Sequence, residues 1–183
     1  MEGLVSLLDK QHEARVRAIW RVLKEQFGVT ALLQLVPIPH ISYYVAEHID
    51  VNQMQAPLHV IAQQASPFAA RATGLGLFTH PHLVLYIPVV RSVALMALHG
   101  VLRPSFAAAA INPVRYYEAD RWLPHITLAQ GDLDHEKLAP ALRWFLQKPI
   151  DWEITVDNVA LMGGEPGDMQ QVHRFPFQPP IST

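Results

Sequence analysis

The chain has no cysteine, which excludes disulfides and thiolate-held metals. Cations are also sparse. Lys and Arg number 14 in 183 residues, and the formal net charge is -2. A broad grip on long RNA or DNA through the phosphate backbone needs a basic face. A small or short substrate is therefore expected, not a long duplex. No apolar run approaches the ~18 residues of a membrane span, so no membrane partner is expected. The opening Met1-Glu2-Gly3-Leu4 lacks the basic start and apolar block of a secretory leader. A cytoplasmic setting is the default expectation. No low-complexity linker divides the chain, so residues 1–183 are expected to form a single two-lobed domain.

What the chain does have is apolar surface: half of its residues are hydrophobic, enough for a sizeable core. Periodicity predicts a helix over 4–27, with Gly28 as its stop. Residues 31–45 read as one or two strands interrupted by Pro37 and Pro39. Residues 51–65 read as a helix with Met54, Leu58 and Ile61 inward. Residues 68–78 read as a strand in which the glycines permit a bulge, 83–90 as the clearest strand, and 92–102 as a helix with Val93, Met96, Ala97 and Val101 on one stripe. The pattern then restarts: a strand at 123–130, a helix at 134–147, and strands at 152–162 and 171–177. Gly163–Gly167 reads as a loop between the last two strands.

One short motif occurs twice. Pro39-His40-Ile41-Ser42 and Pro124-His125-Ile126-Thr127 lie 85 positions apart, and the same shift aligns the elements that follow each. The chain thus reads as two β-α-β-β units. On a strand, residues i and i+2 share a face, so each motif offers one imidazole beside one hydroxyl.

Two H-Φ-[S/T]-Φ motifs (Φ apolar), His40-Ile41-Ser42-Tyr43 and His125-Ile126-Thr127-Leu128, in matched halves of one short chain resemble the two-histidine phosphoesterase superfamily. That group includes 2′-5′ RNA ligase-like proteins and cyclic nucleotide phosphodiesterases. The resemblance spans about residues 29–177 and includes Ser66-Pro67-Phe68 and Gly74-Leu75-Gly76. It implies an α+β fold of two lobes, built from duplicated β-α-β-β units with antiparallel sheets and pseudo-twofold symmetry, and an active-site cleft between the lobes. The helix over 4–27 reads as an addition outside this common core. Ser42 in place of the commoner Thr, and Tyr43 in an apolar slot, are mild departures.

The resemblance also implies a reaction. Opening a 2′,3′-cyclic phosphate, or cleaving a 2′-5′ phosphodiester at an RNA end or in a nucleotide, needs one base and one acid. Imidazole supplies either near neutrality. His40 and His125 are the expected pair, with base and acid interchangeable at this stage. Ser42 and Thr127 are expected to donate hydrogen bonds to the non-bridging phosphate oxygens. The arrangement requires no metal or other cofactor, and the same chemistry in reverse is RNA-end ligation. The substrate is expected to be a nucleotide or RNA end, handled by a monomer.

Further residues are candidates for substrate contact. Tyr44 shares the face of His40 and Ser42 by period two, and could stack on a base. Tyr117, near Arg115 and Arg121, could do the same. Arg71 and Arg174 occupy strands of equivalent order in the two halves and could meet phosphate. Each has a plainer reading as a packed aromatic or a solvated charge. Two other functions stay open: a non-catalytic nucleotide- or RNA-end-binding protein on the same fold, and a metal-dependent hydrolase using His80 and His82.

Overall fold

The computed structural model describes residues 1–163 and 170–178. In chain order the elements are β1 (Glu2–Leu7), α1 (Lys10–Phe27), α2 (Ala31–Leu35), β2 (His40–Ile49), α3 (Val51–Gln64), β3 (Phe68–Thr73), β4 (Gly76–Phe78), β5 (Val84–Pro88), α4 (Val93–Ala109), β6 (Ala110–Pro113), β7 (His125–Gln130), α5 (His135–Phe145), β8 (Asp151–Val156), β9 (Asn158–Gly163) and β10 (Gln170–Pro176), with one 3₁₀ turn at Arg115–Tyr117. Asp9, Asp50, Ser92 and Asp134 start the four long helices. Each side chain accepts a backbone N–H three residues on, which satisfies a donor that the first helical turn leaves open.

One five-stranded sheet runs β10-β9-β1-β2-β6. The other strands form the pair β3-β8 and the trio β4-β5-β7. A bridge between Ala72 and Val89 joins these two pieces, so β3 and β4 act as one strand broken at Gly74, whose φ is +73°. All paired strands are antiparallel. Each motif strand sits with strands from the other half of the chain. β2 shares a sheet with β9 and β10, and β7 shares one with β4 and β5. The duplicated units therefore interlock, and each lobe needs both halves.

The expected helix over 4–27 is corrected by this topology. Residues 2–7 are a strand lying between β9 and β2, and the helix begins at Lys10. Asp9 explains the boundary, because its carboxylate caps His12 N at 3.0 Å. Leu4, Leu7 and Leu8 fit a helical stripe by spacing, but Leu4 and Val5 are buried in the sheet. Val16, Ile19, Trp20 and Leu23 of α1 are buried, and α1 packs on β7 and α5.

Three other expectations change. Residues 31–35 are helical, their start capped by the Asp132 carboxylate, which takes the Thr30 and Ala31 N–H groups. The expected strand over 152–162 is two strands divided at Asp157, one in each sheet system. In α4 the buried stripe is Leu95, Leu98, Leu102 and Phe106, whereas Val93 and Val101 are exposed. That helix is apolar on several faces, and the bulkier Leu/Phe stripe takes the core. Of the expected loop at 163–167, Gly163 ends β9 and the remainder lies outside the described residues.

Candidate active site

β2 and β7 bring the two motifs to one cavity of about 210 Å³. His40, Ser42, His125 and Thr127 all line it. The local geometry repeats at both motifs. His40 Nδ1 lies 2.7 Å from the Ile38 carbonyl, and His125 Nδ1 lies 2.6 Å from the Leu123 carbonyl. A carbonyl oxygen can only accept, so each ring carries its proton on Nδ1 and keeps Nε2 for the cavity. Pro39 and Pro124 also hold matching positions. Their carbonyls accept Leu8 N at 3.4 Å and Val89 N at 2.9 Å.

The repeat extends to a defect in the strands. Val5 pairs with Ser42 but Leu4 with Tyr44, so Tyr43 is an extra residue in β2. Tyr86 pairs with Thr127 but Leu85 with Ala129, so Leu128 is the extra residue in β7. Such a bulge resets which residues face which side. Tyr43 and Tyr44 are both buried, as are Leu128 and Ala129, and the next cavity-lining residues are Val45 and Gln130.

This corrects the expectation for Tyr44. Past the bulge it turns into the core, where its ring stacks on His99 and Phe106 at 4.4 and 4.7 Å. Its hydroxyl meets His99 Nδ1 at 3.1 Å and the His99 carbonyl at 3.0 Å. The two arginines also face elsewhere. Arg71 lies on the exposed side of β3 and makes a two-pronged bond to Asp151 at 2.8 and 3.0 Å. Arg174 is exposed and bonds Asp157 at 3.2 Å. Tyr117 does line the cavity. Burial raises its phenol above the usual tyrosine range, with the neighbouring Ser42 side chain opposing that shift. His80 and His82 are exposed, and no group of three potential ligands for a metal occurs among the described residues.

Several cavity residues lie outside the motifs: Trp20 from α1, Leu32 from α2, Val36 and Ile38 before β2, Val5 from β1 and Met162 from β9. They form a largely apolar wall. Their contribution depends on β1 and α1 being central to the fold, which helical spacing in the first 27 residues conceals.

Burial lowers the pKa of both motif histidines below the ordinary 6.5, with the Ile38 and Leu123 carbonyls opposing that shift. Charge on His125 lowers His40 further. The rings are thus close enough that a proton on one resists a proton on the other.

A family model described as the 2′-5′ RNA ligase superfamily matches residues 8–168. The chain belongs to that superfamily, a group of two-histidine phosphoesterases. Solved structures share the fold. TT0787 of Thermus thermophilus superimposes with a TM-score of 0.65 at 17% identity, covering 98% of each chain. LigT of E. coli, crystallised with 3′-AMP, gives 0.61 at 14% identity and 97% of each chain. No curated protein matches by sequence. Membership points to an enzyme of the 2′-5′ RNA ligase or phosphoesterase type.

Proposed function

We propose that the protein is a metal-independent phosphoesterase that opens 2′,3′-cyclic phosphates or cleaves 2′-5′ phosphodiesters, or forms the latter in reverse. The observation that carries this reading is the paired anchoring of His40 and His125 on one cavity, each with Nδ1 engaged and each beside a hydroxyl residue. In hydrolysis a neutral imidazole takes a proton from water as its oxygen attacks phosphorus. A protonated imidazole gives a proton to the departing sugar oxygen. Ser42 and Thr127 donate to the non-bridging oxygens, where charge grows in the transition state.

The two histidines are not equivalent in this proposal. His40 is the more enclosed of the two, and enclosure makes a charge harder to hold on its ring. The singly protonated pair therefore keeps its proton on His125, making His40 the base and His125 the acid. Nucleotide binding suits the site and the relatives: E. coli LigT has been crystallised with 3′-AMP, phosphate, ATP and NADP+.

The test is turnover of a 2′,3′-cyclic mononucleotide and of a 2′-5′ dinucleotide in the presence of a chelator. Monophosphate or nucleoside products with a bell-shaped pH profile are expected. Binding without product from any of these substrates would make the protein a binder on the same fold. Loss of activity on chelation would make it a metal-dependent hydrolase.

A further inference from the structure

His99, midway along α4, is a buried imidazole that the proposed reaction does not use. It is 1% exposed and does not line the cavity. Its Nε2 lies 2.9 Å from the Tyr117 carbonyl, which can only accept, so Nε2 carries the proton. Nδ1 is then bare, and the Tyr44 hydroxyl stands 3.1 Å from it. The ring stacks on those of Tyr44 and Trp122, with centroids 4.4 and 4.1 Å away. Hydrogen bonds at both nitrogens and two stacked neighbours leave it one orientation.

Two of these contacts fall on the segment that joins the halves of the site. Residues 114–124 connect β6 to β7 with a single 3₁₀ turn. Tyr117 of this segment lines the cavity. Its Trp122 donates the indole N–H to the Ser42 carbonyl, and its Leu123 carbonyl holds His125 Nδ1. One connection thus serves both motifs. Main-chain bonds secure its ends, Val114 to Val45 at 2.8 Å and Val89 to Pro124 at 2.9 Å. Between them, exposed Arg91 reaches the Ala119 carbonyl at 2.6 Å from the surface, and His99 holds Tyr117 and Trp122 from the core. Trp20, which bonds the Thr127 carbonyl, stands on an 18-residue helix. Trp122 has no helix beneath it, and the His99 ring supplies the equivalent support.

We infer that His99 is a positioning residue for the active site: by fixing Tyr117 and Trp122 against α4, it sets the backbone of Ser42 and the imidazole of His125 relative to each other. The catalytic consequence rests on the phosphoesterase reading. His99 meets no substrate and moves no proton in the reaction. Misplacing a reacting group by ~1 Å can cost roughly 10²-fold in rate. Such losses fall mainly on kcat, because the transition state depends on alignment more than the bound substrate does.

The experiment compares three variants of the full chain by steady-state kinetics and by the NMR resonances of the His125 imidazole. His99→Phe keeps a ring against Trp122 and removes the donor to Tyr117. His99→Gln keeps a donor and removes the ring. Leu102→Ala opens the buried core one turn further along α4 and controls for lost stability. His99→Phe is expected to lower kcat ~10-fold or more at nearly constant KM and to shift the His125 resonances. His99→Gln should fall between it and the wild type, and Leu102→Ala should keep wild-type kcat and resonances. Wild-type kcat and resonances in folded His99→Phe overturn the inference, as does an equal loss in Leu102→Ala, which would reduce His99 to a stabilising role. Should His99→Phe fail to fold, His99→Gln decides: a lower kcat with shifted resonances supports the inference, and unchanged values overturn it. Absence of wild-type turnover on every cyclic and 2′-5′ diester removes the phosphoesterase reading instead, and the His125 resonances still decide whether His99 places that ring.

Discussion

Trp122 donates its indole N–H to the Ser42 carbonyl at 2.8 Å. A counterpart exists across the site: Trp20 donates to the Thr127 carbonyl at 3.2 Å. Both acceptors stand next to the extra residue of a bulge, where the regular ladder of backbone bonds is interrupted. An indole from outside the strand satisfies the carbonyl at each. Trp122 is buried, its ring packed on His99 with centroids 4.1 Å apart. His99 in turn lies 2.9 Å from the Tyr117 carbonyl. The hydroxyl of the first motif is therefore backed by a stack that also positions the Tyr117 segment.

Trp122→Phe keeps an aromatic ring but removes the donor. The variant should lose about 2–4 kcal/mol of stability, from the orphaned carbonyl and the volume left behind. It should also turn over roughly tenfold more slowly, because Ser42 is less firmly placed. Urea unfolding alongside steady-state kinetics separates the two effects. Unchanged kcat in a folded variant would show that Ser42 needs no such brace.

His40→Ala and His125→Ala should each lower kcat by roughly 10²–10⁴ while the protein stays folded. The assignment of His40 as base and His125 as acid adds a distinction. With a substrate whose leaving group needs no proton, such as a p-nitrophenyl phosphodiester, His125→Ala should lose much less than His40→Ala. Equal losses on that substrate would remove the assignment. Thr127→Val and Ser42→Ala should cost less than either histidine and act through phosphate positioning.

Both motifs were legible in the sequence because His, Ser and Thr at period two precede the bulge, where strand alternation still holds. Tyr44 was misread because it follows the bulge, and a one-residue insertion leaves no mark on a period-two pattern. Val45 and Gln130, which do reach the cavity, were hidden for the same reason. Arg71 and Arg174 were ambiguous: a charge on a half-buried strand can face a cleft or water, and the choice depends on Asp151 and Asp157, remote or unremarkable in sequence. The strand Glu2–Leu7 was lost because its leucines also satisfy a helical stripe, and its neighbour β9 lies at the far end of the chain.

Gly76 makes room for a ring that packs beside the second motif. A Cβ there would overlap the ring of Tyr86. Tyr86 stacks on Phe78 at 4.2 Å, and these rings flank His125 at 5.0 and 5.2 Å. Gly76→Ala should displace Tyr86, destabilise the fold by about 1–3 kcal/mol and depress activity through His125. Gly74→Ala is the control. Its φ of +73° makes alanine strained, but nothing lies within 4 Å of the added atom. It should cost stability by ~1 kcal/mol and leave the His125 imidazole resonances where they are. Similar shifts of those resonances in both variants would mean that Tyr86 does not set the environment of His125.

Activity and stability should respond to pH in opposite directions. His40, His99 and His125 all have pKa values pushed below the ordinary 6.5, each chiefly by burial. Between 6.5 and each depressed value the unfolded chain binds more protons than the native state. Stability is therefore full above about pH 7 and falls as pH drops through 6.5, levelling once the folded-state pKa values are passed. The lowered carboxyls Asp9 and Asp132 contribute stability in a separate window, lost only as pH falls below their ordinary 3.8. Catalysis needs one of the two motif imidazoles protonated, so kcat/KM should decline on the alkaline side with a midpoint below 6.5. A bound phosphate anion favours the imidazolium, so the same limb in kcat should lie at higher pH. Denaturation midpoints and full kinetic profiles from pH 4.5 to 8 check both halves of this prediction. An alkaline limb in kcat/KM well above 6.5 would contradict a pair of buried, mutually opposed imidazoles.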